Sequence, residues 1–415
     1  MKIMNRKSVW TVALLLPLAG CSEVLSLDVE SPGRIADDDL NNADAVPGLV
    51  AGMSYDLTQA YGGVLQELSL ASGELWHGGS YDFGTYPRGI LLQEPADWDG
   101  SYGTMQQARY VAEAGLKRIA NVLEPDLYER SPDVARAYLL AGFANRLMGE
   151  VQCETTVDFD GEPSGVLPRT EHFSRADSLF SRAIAVGGAA GADAIVTAAY
   201  GGRASVRAWL GNWSQAVNDA GQVPDDFQYD AIFSTAVGAV SNDLVFETNS
   251  RKEFTVFNTV WADNDPEDPR VPWRIVLDNA GQVEKGQDGE TDFYQQLKYL
   301  TEDDDQALTK GTEMLVLRAE AALRDGDLQG MTDRLNEARA VYGLDPIDVP
   351  GSVAEAWPVL RMERGATVWL EGRTLWDLHR WKAEGGAVAD PFAEGRDTCF
   401  PISDEEMRVN PNIGG

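Results

Sequence analysis

The apolar residues of this chain recur mostly at intervals of three and four, which is the spacing of an amphipathic α-helix. Such runs extend from Ala43 toward Tyr61, from Thr104 to Pro125 and from Thr312 to about His379. The clearest helix is expected at 132–148, where Ser131 is the N-cap, a proline follows at the first helical position and a glycine ends the run. The pattern predicts a mainly α-helical protein.

A repeat becomes visible when the chain is compared with itself. Residues 134–150 align with 196–212, and 313–327 follow the same scheme. Each copy has small residues that allow a partner helix to approach closely, and a glycine near its end. Second amphipathic helices are expected at Trp213–Ala220 and Leu328–Val341. We interpret the arrangement as tetratricopeptide-like helical hairpins forming a superhelical scaffold; the alternative is a set of ordinary alanine-rich helices.

Two stretches interrupt the helical spacing. Residues 62–103 are rich in glycine and aromatic residues, and residues 224–300 combine prolines with short apolar or alternating runs. Within the second stretch, DLVFETNS and EFTVFNTVW are expected to be strands. We therefore predict loop-rich insertions at about 62–103 and 224–300, between tetratricopeptide-like helices at about 104–221 and 312–385.

The amino terminus has the pattern of an export signal. Basic residues precede an apolar run from Val9 to Leu18, which is far shorter than the roughly 20 residues that a membrane span needs. Small residues directly before Cys21 match a bacterial lipobox, so a signal peptide at 1–20 and acylation of Cys21 are predicted. The alternative is ordinary cleavage that leaves a free cysteine. Residues 21–42 are expected to form a lipidated tether, and 43–415 a single domain.

Charge and cysteine content narrow the partners and the compartment. The formal net charge of -32 at pH 7 argues against nucleic acid as a partner, because an acidic surface repels phosphates. With Cys21 assigned to lipid, Cys153 and Cys399 remain, and such a pair in an exported protein is expected to form a disulfide. That bond would tie the first half of the chain to its carboxyl-terminal end.

The sequence has no recognisable catalytic or metal-binding motif. His77, His172 and His379 are isolated from one another, so no zinc site of the usual spacing is expected. The acidic run that contains Asp263, Asp265, Glu267 and Asp268 lacks the glycine of an EF-hand loop, and we interpret it as a solvated loop. Two of the 66 acidic residues could form a glycosidase pair, but spacing cannot show the separation of about 5–10 Å that this chemistry needs. No cofactor or metal ion is predicted.

Aromatic residues in the insertions are the candidate ligand-binding residues. The flexible backbone of the glycine-rich stretch could display rings, and flat apolar rings stack against sugar faces. Two tryptophans that flank the proline-rich loop could supply a second wall. The candidates are Trp76, Tyr81, Phe83, Tyr86, Trp98, Tyr102, Trp261 and Trp273. The alternative for each ring is packing against helices.

The stretch Met362–Trp381 is the densest in tryptophan and arginine. The placement of Trp369 and Trp376 indicates packing. Arg364 and Arg373 are suited to pairing with carboxylates and helix ends while their stems cover apolar surface. We interpret this signature stretch as a structural clamp rather than a ligand site.

These features together resemble the SusD/RagB family of nutrient-uptake outer-membrane lipoproteins. The resemblance rests on the lipobox, the interrupted tetratricopeptide-like helices, the signature stretch and the ending FPISDEEMRVNPNI. The most specific matching residues are Glu371, Gly372, Arg373, Trp376, Asp377, Leu378, Arg380, Trp381, Pro401, Ile402, Glu405, Asn410, Pro411 and Asn412. Cys153 and Cys399 lie outside the family's general pattern.

The resemblance implies a non-catalytic protein that is lipid-anchored in the outer membrane and faces the cell exterior. It implies a TonB-dependent, SusC-like transporter as partner, to which the protein delivers an oligosaccharide or another nutrient. The tetratricopeptide-like face would contact the transporter, and the insertions would hold the ligand. Two other functions stay open: a tetratricopeptide scaffold that binds only proteins, and a carboxylate-based glycoside hydrolase.

Overall fold

Long α-helices make up most of the described chain. The computed structural model describes residues 37–79, 82–159, 162–237, 240–263 and 268–413. The α-helices are α1 (Val46–Ala71), α2 (Ala96–Val122), α3 (Pro125–Tyr128), α4 (Pro132–Val151), α5 (Thr170–Ala190), α6 (Asp193–Trp209), α7 (Trp213–Ala220), α8 (Asp243–Val245), α9 (Gly311–Arg324), α10 (Leu328–Val341), α11 (Val353–Thr367), α12 (Thr374–Glu384) and α13 (Asp404–Val409). Of the helices in the described ranges, none has the length and apolar character that crossing a membrane requires.

The strands are short and pair two by two in antiparallel ladders. They are β1 (Trp76–His77), β2 (Glu154–Thr155), β3 (Asp158–Phe159), β4 (Glu162–Pro163), β5 (Leu167–Pro168), β6 (Gln228–Ala231), β7 (Phe254–Thr255), β8 (Trp273–Ile275), β9 (Tyr294–Gln296) and β10 (Gln306–Lys310). β1 pairs with β7, β2 with β5, β3 with β4, β6 with β10, and β8 with β9. The expected fold class, mainly α with few short strands, is confirmed, although β2–β5 and β10 lie outside the two predicted insertions.

Small residues inside the repeated helices allow the close packing that the repeat predicted. The ring of Phe180 in α5 lies against Gly142 of α4 and Gly202 of α6, where an added Cβ would come within 2.6 and 2.4 Å of the ring. Gly211 and Gly326, which occupy equivalent positions in two copies, both follow a helix end with positive φ. The helices expected at 213–220 and 328–341 form with those boundaries as α7 and α10.

The glycine-rich stretch 62–103 is more helical than predicted. α1 continues through Gly62 to Ala71, and α2 begins at Ala96 and includes Gly100 and Gly103. An added Cβ on Gly62 would lie 3.1 Å from the ring of Phe233, so a close tertiary contact accounts for this glycine. Packing between α1 and α2 overrides the weak helix propensity of glycine.

Two further local predictions were wrong. α4 does not stop at Gly149 but continues to Val151, because that glycine makes room for the ring of Phe173 instead of ending the helix. The segment DLVFETNS is not a strand: it forms α8 followed by a π-helical turn at Phe246–Ser250. Short apolar runs cannot be assigned to strand or helix by periodicity alone.

A buried carboxyl group between α1 and α2 makes the stability of the chain depend on pH. Ser101 Oγ donates to Glu67 Oε1 over 2.7 Å, whereas Oε2 has no hydrogen-bond partner among the described residues. Burial raises the pKa of Glu67 from 4.5 to about 8. The folded chain therefore holds this carboxyl group protonated at neutral pH.

We expect Glu67→Gln to unfold at higher denaturant concentration than the native chain at pH 8, with the difference disappearing near pH 4. Below pH 4.5 the Glu67 carboxyl group is protonated in both the folded and the unfolded chain, and the fold keeps its full stability. Between pH 4.5 and about 8 the unfolded chain loses this proton while the folded chain keeps it, so the free energy of unfolding falls by about 1.4 kcal/mol per pH unit. Urea unfolding from pH 4 to 9 measures the effect, with the exposed Glu405→Gln as control. A difference that stays constant with pH would contradict the assignment.

Candidate functional site

Four of the predicted ligand-binding rings lie in the protein core. Phe83, Tyr86, Trp98 and Tyr102 are buried, and Trp98 stacks on Phe400 with 4.4 Å between ring centroids. Trp98 Nε1 also donates to the carbonyl oxygen of Pro401 over 3.1 Å. The expectation that a flexible loop displays these four rings was wrong, because Trp98 and Tyr102 belong to α2 and a 3₁₀-helix at Asp82–Arg88 holds the others. Tyr81 lies outside the described residues.

Trp76 is placed differently, on the short strand β1. It is half-buried and pairs with Thr255 of β7. The next residue, His77, has its Nε2 4.0 Å from a carboxylate oxygen of Glu253. Burial lowers the pKa of His77, so this imidazole is neutral at physiological pH. Trp76 thus lies at the edge of the insertion that contains the remaining candidate rings.

The second insertion brings three aromatic rings together, and we call Phe257, Trp273 and Tyr294 the ring surface. Trp273 and Tyr294 are diagonal neighbours on the β8–β9 hairpin and stack with 5.3 Å between centroids and 2° between planes. Phe257 meets Tyr294 edge to face at 5.3 Å. Trp273 is buried behind the other two, which are half-buried and keep part of each ring accessible.

A tight turn after β7 fixes the position of Phe257. Asn258 adopts a left-handed backbone conformation with φ of 63°, which asparagine tolerates better than most residues. The hydroxyl of Thr259 donates to the carbonyl oxygen of Val256 over 2.7 Å, and Phe257 N donates to Thr255 Oγ1 over 3.1 Å. The turn leaves the side chain of Asn258 exposed next to the ring surface.

The β8–β9 hairpin has one apolar and one polar face. Ile275, opposite Tyr294, is 46% exposed and extends the apolar face. On the other face Arg274 Nε donates to Gln295 Oε1 over 2.9 Å. Exposed rings with polar groups close by are the combination that recognises sugars or similar polar solutes.

Sequence reasoning identified Trp273 but missed Phe257 and Tyr294. The available signal was a hairpin: the short runs 273–275 and 294–296 flank a stretch rich in glycine and aspartate. Pairing those runs would have placed Tyr294 on the same face as Trp273.

Trp261 is buried and lines a cleft between the 3₁₀-helix Val260–Asp263, α11 and α12. The cleft has a volume of about 210 Å³. The Trp261 ring packs closely against α11 at Gly365, where an added Cβ would lie 3.0 Å from the ring. We call this space the apolar cleft, and its apolar lining includes Val260, Trp261, Pro358, Met362, Leu378 and Phe392.

Most of the signature stretch is buried and paired internally. Trp369 and Trp376 lie in the core, and Arg364 Nε donates to Asp377 Oδ2 over 2.8 Å. Arg373 is 1% exposed and donates to the carbonyl oxygen of Leu308 over 2.7 Å. The rings and guanidinium groups are therefore occupied by the protein itself, as expected of a clamp.

Ion pairing also keeps the acidic residues of this region charged. Burial opposes ionisation of Glu371, but the ammonium groups of Lys298 and Lys310, 2.6 and 2.5 Å away, outweigh it and lower the pKa of Glu371 to about 2. In the same way Arg380 and Arg324 outweigh burial and lower the pKa of Glu320 to about 2. Such carboxylates serve the fold rather than proton transfer.

Cys153 and Cys399 form a disulfide in the structure, with Cα atoms 5.0 Å apart. Backbone hydrogen bonds flank it, since Cys153 N donates to the carbonyl oxygen of Phe400 and Phe400 N donates to that of Val151. The bond therefore fastens the carboxyl-terminal segment to the end of α4.

The other residues considered for chemistry are engaged in the fold. His172 forms hydrogen bonds with the side chains of Asn145 and Thr155. Burial lowers the pKa of His172 to about 3. Asp268 binds the guanidinium group of Arg270 over 2.8 Å, while Asp265 and Glu267 lie outside the described residues. Within the described ranges no three His, Cys, Asp or Glu side chains are grouped so as to hold a metal ion.

The fold and the ring surface define a class of protein: a tetratricopeptide-like helical scaffold that carries a ring-bearing insertion. Residues 311–399, which include the signature stretch, match the model of the SusD family. No curated protein matches the sequence. The resemblance to the SusD/RagB family that the sequence predicted is confirmed.

Solved structures share the fold at low sequence identity. A SusD homolog from Bacteroides thetaiotaomicron VPI-5482 is 14% identical with a TM-score of 0.67, over 90% of this chain and 96% of that one. A SusD-like carbohydrate-binding protein from Bacteroides vulgatus ATCC 8482 is 12% identical with a TM-score of 0.66, over 90% and 97%. A SusD superfamily protein from Parabacteroides distasonis ATCC 8503 is 13% identical with a TM-score of 0.65, over 89% and 98%.

Proposed function

We propose that this chain is a nutrient-binding lipoprotein that captures an oligosaccharide at the ring surface. The observation that carries the proposal is the stack of Tyr294 on Trp273, with Phe257 at its edge, on an insertion that keeps part of two rings accessible. The buried tryptophan fixes the orientation of Tyr294, so a sugar ring meets a preformed platform. A structural neighbour described as a SusD-like carbohydrate-binding protein supports the same class of ligand.

A polar group next to the platform supplies orientation. Asn258 follows Phe257 directly and is exposed, and its amide can donate hydrogen bonds to sugar hydroxyls. Trp76, half-buried on β1, is a further candidate contact at the edge of this insertion.

Removal of the half-buried Tyr294 ring is expected to weaken oligosaccharide binding at least tenfold. Tyr294→Ala deletes the platform, and an aromatic contact contributes about 0.5–1.5 kcal/mol beyond its buried area. Calorimetric titration of a broad oligosaccharide panel measures the loss, with Tyr110→Ala on α2 as the matched control because Tyr110 is 52% exposed and far along the chain. Equal affinity of the two variants would exclude the ring surface as the site.

We further propose that the protein is held in the outer membrane by lipid on Cys21 and serves a TonB-dependent, SusC-like transporter. Cys21 lies outside the described residues, and its motif supports the anchor. The helical scaffold supplies a broad rigid face for a transporter, separate from the insertion that binds the nutrient. Affinity purification from solubilised outer membranes is expected to recover one large barrel protein. Recovery of the chain alone would count against the transporter and favour a solitary binding protein.

The proposed role is non-catalytic. The buried carboxylates Glu320 and Glu371 are held by arginine or lysine side chains, and the ring surface itself consists of aromatic rings. Incubation of the protein with each bound oligosaccharide is expected to leave it intact. Product formation that one carboxylate substitution abolishes would replace this proposal with a glycoside hydrolase.

A further inference from the structure

We propose that the apolar cleft is a second ligand site, which takes one uncharged aromatic ring of a small solute. The cleft is lined by residues of the 3₁₀-helix at 260–263, α11, α12 and the segment around Phe392. This site goes beyond the oligosaccharide site at the ring surface and does not depend on it. The argument rests on the polarity of the lining, on its volume and on its aromatic walls.

The polar side chains that line the cleft are already used within the protein. Both carboxylate oxygens of Asp377 accept hydrogen bonds from arginine, Oδ2 from Arg364 and Oδ1 from Arg380, each over 2.8 Å. Thr374 Oγ1 and Ser72 Oγ both donate to the carboxylate of Glu74. A ligand in the cleft therefore finds few groups free to bind hydroxyls, and a sugar there would lose hydrogen bonds to water without replacement.

The same holds for Trp381 and Arg361, which also line the cleft. Trp381 Nε1 donates to Glu320 over 3.2 Å. Arg361 Nη1 donates to the carbonyl oxygens of Ala387 and Val388, and its Nε lies 3.5 Å from Asp390 Oδ2. The charges of Arg361 and Asp390 therefore offset each other within the lining of the cleft.

The size of the cleft selects a single ring. An enclosed apolar cavity of about 150 Å³ binds benzene, whereas sites for larger ligands commonly have about 300–1,000 Å³. The volume of about 210 Å³ is suited to a benzene or indole group and is too small for an oligosaccharide chain.

Aromatic walls favour a ring over an aliphatic group of similar size. Trp261 and Trp381 are buried side chains that line the cleft. The ring of Phe392 is held between Gly73 and the guanidinium group of Arg396, whose carbon lies 4.1 Å from the ring centroid. Met362, 46% exposed at the opening, adds a polarizable sulfur atom that contacts aromatic rings favourably. The shared chemistry of the ligand is thus an aryl group, carried either by a glycoside or by a peptide side chain.

The test uses 5-fluoroindole as the probe and fluorine NMR of the full-length protein as the readout. We expect the native protein to shift or broaden the probe signal. Met362→Trp, which fills the opening from an exposed position, is expected to weaken binding at least tenfold. Val353→Trp is the matched control, because Val353 is 40% exposed on the same helix but does not line the cleft. Unfolding midpoints of both variants should equal that of the native chain.

Competition then separates the two sources of the ring. Phenyl glucoside and the peptide Gly-Trp-Gly are each titrated against the bound probe, and the stronger competitor identifies the carrier. Glucose oligomers without an aryl group are expected not to compete. Absence of probe binding to the native protein, equal binding by Met362→Trp, or displacement by plain glucose oligomers would each overturn the proposal. Tyr294→Ala does not change the lining of the cleft and is expected to bind the probe as the native protein does. Failure of the oligosaccharide site and failure of the cleft site can therefore be distinguished.

Discussion

Replacement of Arg373 by alanine is expected to lower the free energy of unfolding by about 3–5 kcal/mol, the usual cost of removing one partner from a buried charge network. Arg373 donates to the backbone carbonyl oxygens of Ala307 and Leu308. It also lies 3.7 and 3.8 Å from carboxylate oxygens of Glu150 and Glu313. Its removal leaves two buried carboxylates with less compensation and two carbonyl groups without that donor.

Guanidinium unfolding of the purified variant measures this loss. Arg373→Lys is expected to recover part of the stability, because lysine keeps the charge but not the planar arrangement of donors. Arg408→Ala is the control, since Arg408 is 68% exposed and its pair with Glu405 contributes about 0–1 kcal/mol. A loss below 1 kcal/mol for Arg373→Ala would show that the signature stretch is not a clamp.

Removal of the disulfide is the second large effect, with an expected loss of about 2–5 kcal/mol. The double variant Cys153→Ser, Cys399→Ser frees the unfolded chain from a link across 246 positions. In the folded chain it also loosens Phe400, which is stacked on Trp98. The unfolding midpoints of native and variant protein, measured with and without reductant, give the size of the effect. If reductant does not change the native midpoint, the bond contributes nothing to stability.

The helical scaffold was predictable because its signals are local. The N-cap at Ser131, the glycines at 211 and 326 and the apolar spacing all act within one or two turns, and α7 and α10 formed where they indicated. The same local rules predicted loops at 62–103. There the packing of α1 against α2 and the contact of the Phe233 ring with Gly62 join positions far apart in the chain.

The candidate site was only partly predictable for the same reason. Whether a ring is displayed or buried depends on distant partners: Trp98 is covered by Phe400 and Pro401, which the sequence places some 300 positions away. Trp273 was identified by its position beside the proline-rich loop, but its stacking partner Tyr294 depends on hairpin register. The amino-acid composition was enough to predict where the insertion lies. Which rings within it are accessible depends on strand pairing and packing, which the sequence does not show.

The central claim is a division of roles: the ring surface binds the nutrient, and the buried arginines of the signature stretch hold the fold. The most direct measurement is the affinity of Tyr294→Ala and Arg373→Lys for the same oligosaccharide, together with the melting temperature of each. We predict that Tyr294→Ala loses affinity while it remains folded at the assay temperature, and that Arg373→Lys melts earlier while its folded fraction binds as the native chain does. Loss of affinity in Arg373→Lys without loss of stability would contradict the account.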